Sequence, residues 1–156
     1  MNKKYIAVLG FATRCSQSNQ AIAYKVGREL ALNQFTVCAG NVTGTFIYAF
    51  NGAKSANGHT LALVGADCKG LDKSHCDEVV YATNSDKKHQ LIADKCQGAI
   101  VIGGGAGTKK LITRFVNLNK PVVAILGSGG VVTNELDKEV KVIDKTHLDN
   151  IVEYIL

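Results

Sequence analysis

The chain predicts an α/β fold, a single-domain Rossmann-like three-layer α/β/α arrangement on an open, mostly parallel sheet. Three observations predict it. The strand-like segments are short and almost wholly apolar and do not alternate, as in strands buried on both faces. Segments of helical spacing separate them, so strand and helix take turns along the chain. Glycine-rich turns close several strands, 16 glycines standing against 1 proline, which suits tight strand-to-helix connections.

The elements follow in order. "YIAVLGFA" (5–12) reads as a first buried strand. "SNQAIAYKVGRELALNQ" (18–34) spaces Ile22, Val26, Leu30 and Leu32 as a helix, with Ser18 as a plausible N-cap. "FTVCAG" (35–40) is a second strand, and 43–58 a threonine-capped helix of small and large apolar residues. "TLALVG" (60–65) is a third strand, 66–77 carries no pattern, and "EVVYAT" (78–83) is a fourth. "SDKKHQLIADKCQ" (85–97) is a helix capped by Ser85 or Asp86, and "GAIVIGGG" (98–105) the strongest strand. "TKKLITRFVNLN" (108–119) sets Leu111, Ile112, Phe115 and Leu118 on one side of a helix. "KPVVAILGSGG" (120–130) is a further strand, and 139–144 and 146–156 close the chain as strand and helix. No linker or repeat interrupts the pattern, so residues 1–156 read as one domain.

Composition narrows the function. With 46% hydrophobic and 20% charged residues among 156, the chain has the balance of a globular domain rather than a disordered one. A net charge of +5 favours anionic ligands. No basic run is interleaved with aromatics, no zinc-finger spacing occurs, and aromatics are 6%, so a nucleic-acid partner is not expected. The five cysteines (15, 38, 68, 76, 96) are odd in number and form no CxxC, which predicts free thiols in a reducing, cytoplasmic compartment. His75 and Cys76, with Asp72 and Asp77 nearby, are the nearest approach to a metal-ligand cluster, but adjacent residues rarely point at one ion. The opening apolar run ends at Gly10, too soon for a signal peptide, and no stretch of 18 apolar residues predicts a membrane span.

Four strand ends carry small or glycine-rich turns, at 10–16, 39–45, 103–108 and 127–130. In an open parallel sheet these face the same way, and ligands bind where the strand order reverses. "GGGAGTKK" adds chemistry: glycine admits close backbone approach, a helix N-terminus offers unpaired N–H groups to an anion, and Thr108 can cap the helix or bond a phosphate oxygen. Lys109 and Lys110 then fall in the first helical turn, against the dipole by about 0.3–1 kcal/mol each, a cost a bound phosphate removes. The segment lacks the GK[ST] ending of a Walker A loop and the third glycine of GxGxxG, so a conventional NAD site is not expected.

With these residues the chain resembles the SLOG superfamily of Rossmann-like proteins. That group includes the LOG phosphoribohydrolases (long labelled lysine-decarboxylase-like), the DprA/Smf proteins and molybdenum-cofactor carriers. The hallmark PGGxGTxxE stands here as "GGGAGTKKL", with Gly104, Gly105, Gly107 and Thr108 matching and Gly103 in place of the proline. Weaker elements are a glycine turn and helix (Gly40, Gly44, Gly52, Ala53, Gly58) and a K-P-V-V strand with glycines after it, Lys120 to Gly130. The resemblance implies a phosphate held by Gly104, Gly105, Gly107 and Thr108, with charge from Lys109 or Lys110. Gly40, Asn41 and Thr43 would line the opposite wall, Gly129 and Gly130 would approach base or sugar, and Ser16 and Arg14 are lesser candidates.

The resemblance also carries departures. In the phosphoribohydrolases the glutamate closing the motif and an arginine of the preceding helix are the catalytic pair. Here those positions are Leu111 and about Lys88. Leucine can neither activate water nor stabilise an oxocarbenium ion. The expectation is therefore a binder of a nucleotide, such as an AMP-like one, or of another phosphorylated cofactor, without hydrolase activity. The alternatives are a phosphoribohydrolase with acids relocated to Glu135 or Asp137, a molybdenum-cofactor carrier, and a DprA-like single-strand DNA binder. The resemblance further implies a homodimer. The helix at 43–57, with Phe46, Ile47, Tyr48 and Phe50, fits burial there or within one subunit.

Overall fold

A computed structural model describes residues 3–66 and 73–156. Cys68 and Asp72 lie outside the described residues. Seven strands form one sheet: β1 (Lys4–Gly10), β2 (Phe35–Ala39), β3 (Thr60–Gly65), β4 (Glu78–Ala82), β5 (Cys96–Ile102), β6 (Val122–Ile125) and β7 (Lys141–Ile143). Their order is β4-β3-β2-β1-β5-β6-β7, and every pairing is parallel. Helices α1 (Gln17–Leu32), α2 (Thr45–Ser55), α3 (Ser85–Lys95) and α4 (Ala106–Asn117) connect them, with a 3-10 turn at Lys73–His75 and a 3-10 segment at Lys145–Tyr154. This is the Rossmann-like α/β fold with both faces covered.

The apolar runs lack alternation because each strand feeds two cores. Ile6 and Val8 point to a core shared with α1, α2 and the terminal segment, through Val26, Leu30, Phe50 and Ile151. Ala7 and Leu9 point to the other, shared with α3 and α4 through Ile92, Leu111 and Phe115. Phe46 and Phe50 are thus buried within one chain, while Ile47 and Tyr48 are half-buried. No described helix is long and apolar enough to cross a membrane.

Several boundaries differ from the sequence expectation, each for a local reason. Ser16, not Ser18, caps α1 by accepting from Asn19 N at 3.1 Å. Asn84, not Ser85 or Asp86, caps α3 by accepting from Lys87 N at 2.8 Å. Gly44 opens α2 with no side-chain cap. The first strand stops at Gly10, and β6 stops at Ile125 instead of running to Gly130, because Gly127, Gly129 and Gly130 have φ of +82°, +83° and +58°, which no strand accommodates. Residues Lys145–Tyr154 wind as a 3-10 segment broken at Asn150 rather than as an α-helix.

The connection after β4 positions the site. From β1 the chain builds β2, β3 and β4 outward on one side, then α3 carries it back across the sheet to β5 on the other side of β1. The strand order reverses between β1 and β5, which opens a crevice at their carboxyl ends.

Candidate functional site

The crevice holds a cavity of about 240 Å³. Its floor is apolar: Val8, Leu9, Phe46, Ile92 and Leu111. One wall is the turn after β5 and the start of α4, through Gly105, Gly107 and Thr108. Another is the end of β1, through Gly10, Phe11 and Ala12, and a third is Gly40 and Asn41 after β2. α3 supplies Lys88 and His89, which among the described lining residues are the two side chains that can carry positive charge, and no described carboxylate lines the cavity.

The β5–α4 turn is shaped by glycine. Gly103 and Gly104 have φ of +70° and +99°. A Cβ on Gly104 would stand 2.3 Å from Thr108 Oγ1, so Thr108 folds back against its own turn. Its hydroxyl donates weakly to the Gly10 carbonyl at 3.5 Å instead of capping the helix, which begins two residues earlier, at Ala106, behind an uncapped Gly105. The first backbone bond of α4 runs from Lys109 N to Gly105 O at 3.1 Å. The N–H groups of Ala106, Gly107 and Thr108 therefore have no intrahelical acceptor, which makes this end an anion cradle.

Neighbouring segments hold the turn from behind. Val131 N donates to Gly104 O at 3.0 Å, Gly103 N donates to Ser128 Oγ at 2.9 Å, and Asn19 Nδ2 donates to Ser128 O at 2.9 Å. Ser128 is itself buried. At the mouth, Lys88 Nζ donates to Gly40 O at 3.3 Å, tying α3 to the end of β2.

The residues expected from sequence divide accordingly. Gly105, Gly107, Thr108, Gly40 and Asn41 converge on the cavity. Gly104 shapes the turn. Gly130 packs behind it, and Gly129 has open space around it. Thr43 donates to the Ala12 carbonyl at 2.6 Å and clamps two loops together. Lys109 borders a second hollow of about 300 Å³, with Thr133, Glu135 and Asp137. The two acids proposed as relocated catalysts thus line that hollow and not the principal cavity. Ser16 is occupied as the α1 cap, and the Arg14 guanidinium lies 5.2 Å from the centroid of Phe11. Asp77, once grouped with His75 and Cys76, bonds Lys54 Nζ at 2.7 Å and accepts from Thr60 N at 2.9 Å.

Sequence reasoning missed His89 as a site residue. Spacing puts Lys88 and Ile92 on one edge of α3, but only the packing of the helix shows that this edge, with His89, lines the cavity. Burial foremost, then the charges of Lys88 and Arg114, hold the His89 imidazole below its usual pKa.

An open parallel sheet with a glycine-lined helix end at its point of strand reversal defines a Rossmann-like protein. The SLOG cluster4 family model matches residues 3–152, and the chain belongs to that family. Among solved structures, the molybdenum cofactor binding protein of the phototrophic bacterium Rippkaea orientalis is 20% identical with a TM-score of 0.83, over 98% of this chain and 97% of that one. The molybdenum cofactor carrier protein of Chlamydomonas reinhardtii is 19% identical with a TM-score of 0.82, over 99% and 98%. DNA processing protein A of Streptococcus pneumoniae is 20% identical with a TM-score of 0.71, over 99% of this chain and 62% of that one. At these identities the likeness is one of fold.

Proposed function

We propose that the chain binds a small phosphorylated molecule in the β1–β5 crevice and holds it without hydrolysing it. The observation that carries this reading is the lining itself: helix-end amides and Lys88 around an apolar floor, and no carboxylate among the described residues that line it. The phosphate sits on Gly105, Gly107 and Thr108, with Gly104 setting the turn. Gly40 and Asn41 face the rest of the ligand. Thr43, Gly129 and Gly130 act by shaping the loops, and Lys109 adds positive charge nearby. The apolar floor suits a flat ring, as in an AMP-like nucleotide or a pterin-type cofactor. The likeness to two molybdenum-cofactor proteins along nearly their whole length supports the second.

Glycosidic hydrolysis needs a group to activate water. Leu111 stands where the phosphoribohydrolases carry glutamate, and Glu135 and Asp137 face another hollow. Among the described residues, then, no acid lines the principal cavity to serve the enzyme reading. The same residues suit a cytoplasmic carrier or sensor. A homodimer would use the half-buried Ile47 and Tyr48 of α2, and sedimentation of the purified chain tests it.

Thermal denaturation with nucleoside mono-, di- and triphosphates and phosphorylated pterins, repeated on Thr108→Ala, tests the binding. A ligand at 100 times its Kd adds about 2.7 kcal/mol, which raises the midpoint by about 5–10 °C. One ligand class should shift the wild type, shift the variant less, and be recovered intact. Release of free base overturns the holding role. No shift across the panel overturns the small-ligand reading, and salt-sensitive retention of single-stranded DNA would then replace it.

A further inference from the structure

The cavity carries one ionisable ring whose charge is adjustable near neutral pH, and it stands where the anion would lie. We propose that His89 takes up a proton as the site fills, so that the site prefers doubly charged phosphate monoesters over singly charged anions. The proposal rests on the phosphate-binding reading above and names the group that sets its preference.

The geometry is as follows. His89 is half-buried on α3, next to Lys88, and lines the cavity. A Cβ placed on Gly107 would stand 3.8 Å from Cε1 of the ring and 4.0 Å from Nε2. The imidazole therefore overhangs the first turn of α4, where the amides lack intrahelical acceptors. Among the described residues its ring nitrogens have no hydrogen-bond partner.

The charges around the ring come from two helices. On α3 they are Lys88 and Asp86, and on α4 Lys110 and Arg114. Asp86, the one acid near the ring among the described residues, is paired with Arg114. Burial foremost, with Lys88, Arg114 and Lys110 set against Asp86, disfavours the imidazolium in the free protein. A phosphate dianion between the Gly107 amide and the ring brings two negative charges to it, which offsets both effects and favours the imidazolium. A singly charged ligand offers half that attraction. The proton comes from solvent. With the bound pKa above the free one, the contribution to affinity is complete below the free pKa and is lost as pH rises through the bound pKa.

Inorganic phosphate is the probe, added to the wild type and to His89→Gln and followed by NMR at the Gly104–Gly107 amides and the His89 ring. On saturation the wild-type ring pKa should rise by about one unit. The ratio of wild-type to variant affinity should grow about tenfold between about pH 8 and about pH 5.5. Phosphate itself titrates in this window, but equally for both proteins. If the variant does not fold, the wild-type ring titration alone decides. Amides that respond while the ring pKa stays put overturn this inference and leave the phosphate site standing. Amides that do not respond overturn both.

Discussion

Gly130 lies against the backbone of Gly104: a Cβ on it would stand 2.2 Å from the Gly104 carbonyl oxygen and 2.8 Å from its nitrogen. Its φ of +58° adds a second demand that only glycine meets easily. The turn after β6 thus buttresses the turn after β5. Gly130→Ala should cost about 2–4 kcal/mol from strain and overpacking together and disturb the Gly103–Gly107 amides. Gly129→Ala has φ of +83° but open space, and should cost about 1–2 kcal/mol. Chemical denaturation of the two variants checks the difference.

Lys88 crosses from α3 to the Gly40 carbonyl at the cavity mouth. Charge-assisted bonds of this kind contribute about 1.5–3 kcal/mol. Lys88→Met should weaken any phosphorylated ligand about tenfold or more, while Lys88→Arg should retain most of the affinity. Calorimetric titration with a ligand found by thermal denaturation measures both.

Helices α1 and α2 meet backbone to backbone through a reciprocal pair of glycines. A Cβ on Gly27 would lie 1.9 Å from the Ala49 carbonyl oxygen, and one on Gly52 would lie 1.9 Å from that of Tyr24. Neither acceptor is a side chain that can turn aside. Alanine at either position should push the helices apart and cost about 3 kcal/mol or more, read as a lower urea midpoint. The double variant should cost less than the sum, since one displacement relieves both clashes.

Asp77 sets part of the acid limit of stability. Burial works to raise its pKa, but the Lys54 hydrogen bond, the Thr60 amide and nearby His59 outweigh it and hold the carboxyl below its usual value. A carboxylate lowered in the folded state stabilises above its unfolded pKa, and that contribution is lost as pH falls through the folded one. Asp77→Asn should therefore be less stable than wild type at neutral pH. The two should begin to converge below about pH 4, where the unfolded carboxyl protonates, and meet only below the lower folded pKa. Midpoints measured across pH test the convergence.

Much of this was legible in the residues themselves. Runs such as "YIAVLG" declare two-sided burial, and the glycines of "GGGAGT" mark the backbone that a helix-end cradle needs. Helix starts were less legible, because Ser16 and Ser18, or Asn84 and Ser85, compete as caps on chemistry alone and only the chain path chooses between them. "THLDNIVEYIL" reads as an α-helix for a different reason: Leu148, Ile151, Val152 and Ile155 present one buried face in an α-helix and in the tighter 3-10 winding alike. His89 and the separation of Glu135 from the cavity depend on how α3 and α4 meet across the sheet, which no local pattern encodes.

The strand order has one more consequence. β1, the first strand in sequence, lies inside the sheet, with β2, β3 and β4 to one side and β5, β6 and β7 to the other. The crevice is therefore a seam between an early half and a late half of the chain. Whatever lies in it touches Gly40 and Asn41 on the first and Gly105 and Thr108 on the second. An occupant would act as a clasp that the half-made chain cannot close, and would slow the parting of the two halves for as long as it stayed.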